Sequence, residues 1–377
     1  METIEYKGSF EQYLCERATI NHIPINAIVE LTPLCNMDCD MCFVRLNREE
    51  METKGRLRRQ DEWIELGRKM QKAGTMFVLF TGGEPLLYPG FQEVYMAFRK
   101  MGMILTVNTN GTLIDEAWAD FFQQYPPRRI NITLYGKDER TYGELCHYPD
   151  GYEKTVRAIK LLQARNIDLK INGSITPANI NDIEELVSIV QGLGAVWKFD
   201  TYMYPASRER ERKFASESRL TAKQAADTRV ALMKWKMKKE EFYRFVNEFL
   251  IKAEAGVAEA VPMPVTCRAG RSSFMINWQG NIRPCVMVPE PSVSVEELGF
   301  QAAWNEIVQK TAEIRMSSKC SACSHREICQ TCAACAFLES GSYDGVPDYM
   351  CQYTDETLRI LREEQEKMHN GQNISDQ

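Results

Sequence analysis

The stretch Cys35-Asn36-Met37-Asp38-Cys39-Asp40-Met41-Cys42 carries three cysteines, with three and then two residues between them. It comes shortly after Ile28-Val29-Glu30-Leu31-Thr32, so this cysteine loop lies at the end of a predicted strand. A 4Fe-4S cluster needs four ligands, and three thiolates therefore leave one iron open to a small molecule. The spacing predicts such a cluster loop, which the rest of the chain has to support.

Composition excludes several classes of protein. The chain has 377 residues and a formal net charge of −6, which is ordinary for a globular protein with one large domain and a smaller one, or two of medium size. It offers no basic surface for nucleic acid, and its longest apolar runs are far below the ~20 residues of a membrane-spanning helix. Residues 1–7 lack the features of a secretory signal. We therefore expect a cytoplasmic protein with no nucleic-acid or membrane partner.

The cysteines fall into groups. In a reducing compartment the thirteen cysteines are more often metal ligands or catalytic residues than disulfide partners. Three belong to the cysteine loop, Cys15 and Cys146 stand alone, and eight lie between residues 267 and 351. Eight cysteines are enough for two further sites with four ligands each.

From residue 26 onward, strand-like apolar runs alternate with segments of helical period, which predicts βα units around a parallel sheet. The predicted strands are 26–31, 75–81, 103–108, 129–135, 167–174 and 196–203. The predicted helices between them are about 61–73, 91–101, 115–124, 151–165 and 179–191. Periodicity alone does not distinguish a barrel from an open doubly wound sheet.

Unusual residues recur where these strands end, and chemistry gathers at the carboxyl ends of strands in both architectures. The second strand is followed by Gly82-Gly83-Glu84-Pro85 and the third by Asn110-Gly111. Paired glycines allow a close approach of backbone to ligand, and Glu84 adds a carboxylate. A simple turn is the preferred interpretation for Asn110-Gly111, whereas residues 82–85 favour a ligand contact.

Together, Cys35, Cys39, Cys42 and Gly82-Gly83-Glu84-Pro85 resemble the cysteine and GGEP motifs of the radical S-adenosylmethionine (SAM) enzymes. The resemblance implies a partial (β/α)6 barrel, a 4Fe-4S cluster on the three cysteines, and SAM chelated to its open iron. It also implies that Gly82, Gly83, Glu84 and Pro85 contact the methionine moiety of SAM.

The resemblance extends to the inside of the barrel. It implies that Thr133 contacts the ribose of SAM, with Asn172 and Ser174 as further cofactor-binding residues. Met41 stands where many relatives have an aromatic residue against the adenine, so Phe43 is the alternative for that contact.

The carboxyl-terminal region is rich in cysteine. Cys267 and Cys285 enclose a predicted hairpin with a Gln-Gly-Asn turn at 279–281. A run spaced C-x2-C-x5-C-x2-C-x2-C and one distant cysteine follow, comprising Cys320, Cys323, Cys329, Cys332, Cys335 and Cys351. On this segment alone, structural zinc and iron–sulfur chemistry are equally good interpretations.

Beside a radical SAM core, this pattern resembles the SPASM domain, which implies two auxiliary iron–sulfur clusters of the 4Fe-4S type. The outer cluster would be held by Cys320, Cys323, Cys329 and Cys351, and the inner one begins with Cys267 and Cys285. The family has a C-x3-C spacing where this chain has Ala333, flanked by Cys332 and Cys335. Either both ligate the inner cluster, which the eight cysteines favour, or one does and an iron stays open.

The combined resemblance implies an enzyme. A 5'-deoxyadenosyl radical formed from SAM would abstract hydrogen from a peptide or protein substrate, giving a thioether or carbon–carbon cross-link, with ferredoxin or flavodoxin as electron donor. The alternatives are oxidation of a Cys or Ser to formylglycine, as in anaerobic sulfatase maturation, and a non-catalytic metal-binding or electron-transfer protein. Asp200 and Tyr202, at the end of the sixth predicted strand, are candidate catalytic side chains, although they could simply fill the core.

Changes of composition along the chain predict five segments. The linker starts with the Arg-, Glu- and Ser-rich residues 205–219 and continues as a helical pattern over 221–255. The segments are an N-terminal arm 1–25, a radical SAM core barrel 26–204, a linker and long helix 205–260, a SPASM auxiliary-cluster domain 261–358, and a C-terminal helix end and tail 359–377.

Overall fold

The computed structural model describes residues 9–205, 218–254 and 259–375, with side chains described up to residue 369. Most of the Arg-, Glu- and Ser-rich linker segment 205–219 therefore lies outside the described residues. The strands are β1 Asn26–Glu30, β2 Phe77–Thr81, β3 Ile104–Thr109, β4 Arg129–Thr133, β5 Leu169–Ser174, β6 Val196–Asp200, β7 Met263–Pro264, β8 Ser273–Ile276, β9 Asn281–Arg283, β10 Val293–Ser294 and β11 Arg315–Met316.

Helices connect and cover these strands. The α-helices of the described residues are α1 Phe10–Ile20, α2 Arg48–Lys54, α3 Gln60–Lys72, α4 Phe91–Lys100, α5 Glu116–Gln124, α6 Glu139–Cys146, α7 Gly151–Gln163, α8 Ile183–Gly192, α9 Ala222–Lys236, α10 Lys239–Ala253, α11 Val295–Leu298, α12 Phe300–Glu313, α13 Ser318–Ser321, α14 Ala333–Ser340 and α15 Asp348–Ser375. Short 3-10 turns lie at Pro85–Leu87 and Ile180–Asp182. Among these described helices, none is long and apolar enough to cross a membrane.

Nine strands of the described residues form one mixed sheet in the order β10-β9-β8-β1-β2-β3-β4-β5-β6. Strands β1 to β6 are parallel and follow one another across the sheet in chain order, without the reversal that defines a doubly wound sheet. The edge of β1 is occupied by β8, so the barrel is open. The prediction of a partial (β/α)6 barrel is confirmed, and all six predicted strands are present.

The two faces of the parallel sheet differ in chemistry. On the outer face, Phe80 packs against Phe91 and Phe98 of α4, with ring centroids 6.0 and 5.2 Å away. On the inner face, the register places Thr133 opposite Asn172, and both side chains are partly exposed. The apolar outer face stabilises the barrel by burial, which leaves the polar inner face for a ligand.

The hairpin predicted around residues 279–281 is formed by β8 and β9. Its first strand runs parallel to β1, with Asn26 opposite Ser273. A buried bond supports this junction, because Trp304 of α12 donates its indole N–H to His22 O at 2.7 Å. The cysteine-rich region is thereby continuous with the edge strand of the barrel that leads into the cysteine loop.

The long helical pattern over 221–255 is two helices, α9 and α10, which are separated because Lys238 has an extended backbone and starts α10 as its N-cap. Apolar residues of α10 pack against Leu358 and Leu361 of α15. Lys234 of α9 pairs with Glu364 of α15 at 2.7 Å. Helix α15 runs across the predicted boundary between residues 358 and 359, and the division into five segments stays a prediction.

The helix ends show how side chains decide boundaries. Asp115 caps α5 by accepting a hydrogen bond from the amide of Trp118 at 2.9 Å. Helix α3 instead starts one residue before Asp61, because Glu62 reaches back to the amide of Arg59 at 2.6 Å. Helices α2 and α6 were not predicted, and both lie in the long connections that carry the site.

Candidate active site and cysteine groups

The two glycines after β2 pack against the backbone that leads into the cysteine loop. The amide of Gly83 donates to Thr32 O at 2.7 Å, and a Cβ on Gly82 would lie 2.5 Å from that same oxygen. A Cβ on Gly83 would clash with Leu34 O. The close approach that requires glycine is therefore to the cysteine loop, and it fixes the loop relative to β2.

On its other side, the loop is held by the end of α6. The amides of Asp38 and Asp40 donate to Cys146 O and Leu145 O, each at 3.0 Å. Cys146 is fully buried, and its thiol is hydrogen-bonded to Cys39. The unpredicted helix α6 thus forms one wall of the loop, and Cys146, which the sequence left without a role, lies against a predicted cluster ligand.

Glu84 is fully buried, and several donors converge on its carboxylate. The amides of Leu86 and Asn110 donate at 3.0 and 2.8 Å, and the hydroxyl of Thr109 lies 2.9 Å from both oxygens. Burial raises the pKa of Glu84 to about 7, and the donors only partly offset this shift. Its carboxylate therefore ties the turn after β2 to the end of β3.

The sulfur atoms of the loop receive hydrogen bonds from nearby nitrogens. The amide of Met37 donates to Cys35 at 3.4 Å, and the amide of Arg45 donates to Cys42 at 3.3 Å. The side-chain amide of Asn110 lies 3.7 Å from the Cys35 sulfur. Such donors stabilise thiolates, the form in which cysteine binds iron, so the donor set fits a cluster.

Burial and neighbouring groups change the acidity of two predicted ligands, Cys35 and Cys39. Burial raises the pKa of Cys35, and the nearby Glu84, Cys39 and Cys42 raise it further. The pKa of Cys39 is raised most by its hydrogen bond to Cys146, whereas the hydroxyl of Tyr135 lowers it as a donor. The thiols of Cys35 and Cys39 therefore favour their protonated form without a cluster, and loading with iron has to release these protons.

The other predicted cofactor residues lie near this loop or on the inner face of the sheet. Pro85 starts the 3-10 turn behind Glu84 and is buried. Thr133 and Asn172 are neighbours across β4 and β5, and Ser174 lies opposite Asp200 across β5 and β6. The structure thus brings these side chains to one polar surface, and their contacts with SAM stay predictions.

Met41 and Phe43 point to different parts of the molecule. Met41 belongs to the main core of the barrel. Phe43 packs against an apolar cluster with Met287, Val288 and Ala334, on the side of the carboxyl-terminal cysteines. The prediction that one of them contacts the adenine is untested.

The two candidate catalytic side chains lie in different surroundings. Asp200 has a side chain that is 52% exposed, and it pairs with Lys198 at 2.7 Å. Tyr202 is partly buried, and its hydroxyl donates to Glu339 at 2.7 Å and lies 3.3 Å from the Cys335 sulfur. Burial also raises the pKa of Tyr202, so the hydroxyl is a poor source of an anionic base. The catalytic roles of both residues stay predictions.

The carboxyl-terminal cysteines form two groups. In the outer group, burial raises the pKa of Cys320 and of Cys351, and the nearby Cys323 and Cys329 raise both pKa values further. In the inner group, Cys267 and Cys332 raise the pKa of Cys285, after burial. The three inner cysteines line one cavity. Cys335 is absent from the residues that line it.

Amide donors also reach sulfur in these groups, from Met287 to Cys285 at 3.5 Å and from His325 to Cys323 at 3.4 Å. Within residues 9–205, 218–254 and 259–375, no three Cys, His, Asp or Glu side chains are close enough together to bind a single metal ion. The outer group is therefore defined by the effect of neighbouring cysteines on the pKa of Cys320 and Cys351. The inner group is defined by the cavity that its three cysteines line.

Several residues of the site were missed or undervalued from the sequence. Asn110 was interpreted as part of a turn, and Gly111 does have a φ of +81°, yet Asn110 also contacts Glu84 and Cys35. Its position after β3 was the available signal. Tyr135, two residues after β4, offered the same signal. Cys146 gave none, because its proximity to Cys39 depends on how α6 packs.

This chain is similar in sequence and in fold to known radical SAM proteins. Residues 29–190 match the family model of the Radical SAM superfamily. An AdoMet-dependent heme synthase from Methanosarcina barkeri is 23% identical over 332 residues, which cover 83% of this chain and 92% of that protein. Mycofactocin maturase MftC from Mycobacterium tuberculosis is 25% identical over 350 residues, which cover 90% of this chain and 86% of that protein. The crystal structure of Streptococcus suis SuiB bound to its precursor peptide SuiA has a TM-score of 0.65 at 16% identity. The superposition covers 93% of this chain and 84% of the SuiB chain, so the two proteins share a fold.

Proposed function

Because residues 29–190 match the Radical SAM superfamily, we propose that this enzyme abstracts a hydrogen atom from a peptide or protein substrate and leaves a thioether or carbon–carbon cross-link. Superfamily membership implies SAM and one 4Fe-4S cluster, and it overturns the non-catalytic alternative. When bound, these groups supply a 5'-deoxyadenosyl radical. The chain has to hold them, orient the substrate and keep water away.

The observation that carries the proposal is the construction of the cysteine loop. Gly82 and Gly83 lock it to β2, while Asn110 and backbone amides donate to its sulfurs. Cys35, Cys39 and Cys42 are the proposed ligands. Gly82, Gly83, Glu84 and Pro85 would border the methionine end of SAM, and the polar inner face with Thr133, Asn172 and Ser174 would accept its ribose and adenine.

For the auxiliary clusters we propose the two cysteine groups. Cys320, Cys323, Cys329 and Cys351 would hold the outer one, and Cys267 and Cys285 would begin the inner one. The supporting observations are the amide donors to Cys285 and Cys323 and the cavity lined by the inner cysteines. Clusters here would accept the electron left on the substrate when the cross-link closes, and ferredoxin or flavodoxin would supply the electron that starts the reaction.

A peptide substrate is supported by MftC, which is named a maturase, and by SuiB, whose structure holds a precursor peptide. A second candidate is a step of heme synthesis, because the chain covers 92% of the length of the Methanosarcina barkeri heme synthase. Formylglycine formation remains the alternative within protein substrates. It would leave an aldehyde, which a thioether or carbon–carbon cross-link does not.

The test uses full-length protein reconstituted anaerobically with iron and sulfide. After reduction by dithionite, we expect SAM-dependent 5'-deoxyadenosine, and we expect its loss in Cys35→Ala, Cys39→Ala and Cys42→Ala.

The wild-type enzyme is then incubated with peptides encoded by neighbouring reading frames. Mass spectrometry should find a loss of two hydrogen atoms per cross-link and no newly formed aldehyde. Absence of 5'-deoxyadenosine from the reconstituted wild type would refute the proposal.

A further inference from the structure

We propose that Cys335 is not a cluster ligand but a buried thiol that positions Tyr202, and that this chain's inner ligand set is Cys267, Cys285 and Cys332. The inference rests on the auxiliary clusters of the proposed function. It decides between the two cysteines that flank Ala333, where the sequence alone left the choice open.

The first observation is that Cys332 and Cys335 face different neighbours. Cys332 is the N-cap of α14 and has an extended backbone, whereas Cys335 lies inside the helix. The Cys332 sulfur lies close to Cys285 and 3.9 Å from the hydroxyl of Tyr204. Cys335 shares a helix face with Glu339, four residues on, and is 1% exposed.

The second observation is the cavity of the inner group. Cys267 comes to it from the strand connection after β7, Cys285 from the segment after β9, and Cys332 from the start of α14. The next two residues, Ala333 and Ala334, also line it, but Cys335 does not. Cys267, Cys285 and Cys332 therefore line one shared cavity, and Cys335 lies outside its lining.

The third observation concerns the single hydroxyl hydrogen of Tyr202, which has two neighbours, Glu339 and Cys335. The hydroxyl of Tyr202 has one hydrogen, which it donates to Glu339 Oε1 at 2.7 Å. Arg219 donates to both oxygens of Glu339, at 2.7 and 3.2 Å, and a carboxylate in such a pair only accepts. Towards Cys335, 3.3 Å away, the Tyr202 oxygen can therefore offer only a lone pair.

The bond between Tyr202 and Cys335 thus needs the hydrogen of a thiol. An iron-bound thiolate has no such hydrogen, because the thiolate is the form that binds metal. With Cys335 as a thiol, every group in the series Cys335, Tyr202, Glu339 and Arg219 has a partner. With Cys335 as a ligand, its sulfur and Glu339 would compete for the single hydrogen of Tyr202.

The hydrogen-bonded series Cys335, Tyr202, Glu339 and Arg219 connects the barrel with α14 and α15. Tyr202 follows β6, Cys335 and Glu339 belong to α14, and Arg219 stacks on Tyr349 of α15 with its guanidinium 4.2 Å from the ring centre. The series joins the carboxyl end of the barrel to α14, whose N-cap is Cys332. Cys335 is therefore a positioning residue, which holds the inner ligand set at a fixed place relative to the barrel mouth.

The experiment compares Cys335→Ala, Cys335→Ser and Cys332→Ala in the reconstituted full-length enzyme. Iron and acid-labile sulfide per protein should equal the wild-type values in both Cys335 variants. Cys332→Ala should lose roughly one third of the iron, one cluster of three. Electron paramagnetic resonance of the reduced protein should show all cluster signals in the Cys335 variants and one fewer in Cys332→Ala.

The positioning role has its own readout. The serine hydroxyl can still donate to Tyr202, whereas alanine cannot, so Cys335→Ser should keep the wild-type ratio of product to 5'-deoxyadenosine and Cys335→Ala should lower it severalfold. Loss of iron from Cys335→Ala equal to that in Cys332→Ala would overturn the inference. A wild-type protein without auxiliary clusters would instead refute the proposed function, so the two failures are distinguishable.

Discussion

The backbone amide of Asn110 donates to the carboxylate of Glu84 at 2.8 Å, and this bond joins the ends of β2 and β3 directly beneath the cysteine loop. Asn110 then continues the connection through its side chain, which lies 3.7 Å from the Cys35 sulfur. Glu84, which is predicted to contact SAM, is thus also a structural link between two strands and the loop. The carboxylate of Glu84 already accepts hydrogen bonds from Leu86, Thr109 and Asn110.

Glu84→Gln is expected to destabilise the fold. The glutamine amide would present hydrogen atoms to donors that need an acceptor, and a buried donor without a partner costs about 1–3 kcal/mol. Urea denaturation of the wild type and the variant should show this difference in the free energy of unfolding. Glu93→Gln, on the exposed side of α4, is the control and should change it by less than about 0.5 kcal/mol. An unchanged midpoint in Glu84→Gln would show that the carboxylate does not hold the strands together.

The pH dependence of stability should carry the signature of Glu84. Because burial raises its pKa from 4.5 to about 7, the neutral form favours the folded state. Its contribution is complete below pH 4.5 and is lost as the pH rises through about 7. The free energy of unfolding of the wild type, minus that of Glu84→Gln, should therefore fall across this window. A difference that rises with pH would mean that the donors outweigh burial.

Gly83→Ala should displace the cysteine loop. The added Cβ would lie 2.6 Å from Pro33 O, and backbone cannot rotate away as a side chain can. We expect a loss of roughly 2–3 kcal/mol in stability and of most of the iron bound by the loop. Gly192→Ala is the matched control, because its Cβ meets no atom within 4 Å, and it should leave the iron content unchanged. Equal iron in both variants would contradict the packing role of Gly83.

Asn110→Ala should change the cluster of the loop without removing its ligands. It deletes the nitrogen beside the Cys35 sulfur but keeps the backbone amide that reaches Glu84. Loss of a partner outside the ligand shell typically costs about 10-fold in affinity or activity, and loss of a hydrogen bond to sulfur lowers the reduction potential. A redox titration followed by electron paramagnetic resonance measures this shift. Asn131→Ala, which removes a bond to Asn108 on the same sheet, should leave the potential of this cluster unchanged.

Cys146→Ala tests whether the buried thiol beside Cys39 is a ligand. We expect full iron content in the variant, because the three cysteines of the loop suffice, and a loss of about 1 kcal/mol in stability from the small cavity. Cys39→Ala should lose the cluster. If the two variants lost equal amounts of iron, Cys146 would have to be counted among the ligands.

The sequence alone determined the framework of this protein. Strand period and helix period repeat so regularly from residue 26 that all six parallel strands were found, because each strand buries an apolar outer face. The spacing of Cys35, Cys39 and Cys42 and the sequence Gly82-Gly83-Glu84-Pro85 were sufficient to indicate the cofactor chemistry. These are local signals, since they depend on residues within one strand, one helix or one loop.

The tertiary structure decided what those residues contact. Glu84 meets Asn110 across 26 positions of the chain, and Tyr202 meets Cys335 across 133. The choice between a barrel and a doubly wound sheet, the pairing of β8 with β1, and the different surroundings of Cys332 and Cys335 are of the same kind. Periodicity records which face of an element is buried, but not which distant element covers it. Only the packed chain brings the Tyr202 hydroxyl to the Cys335 sulfur.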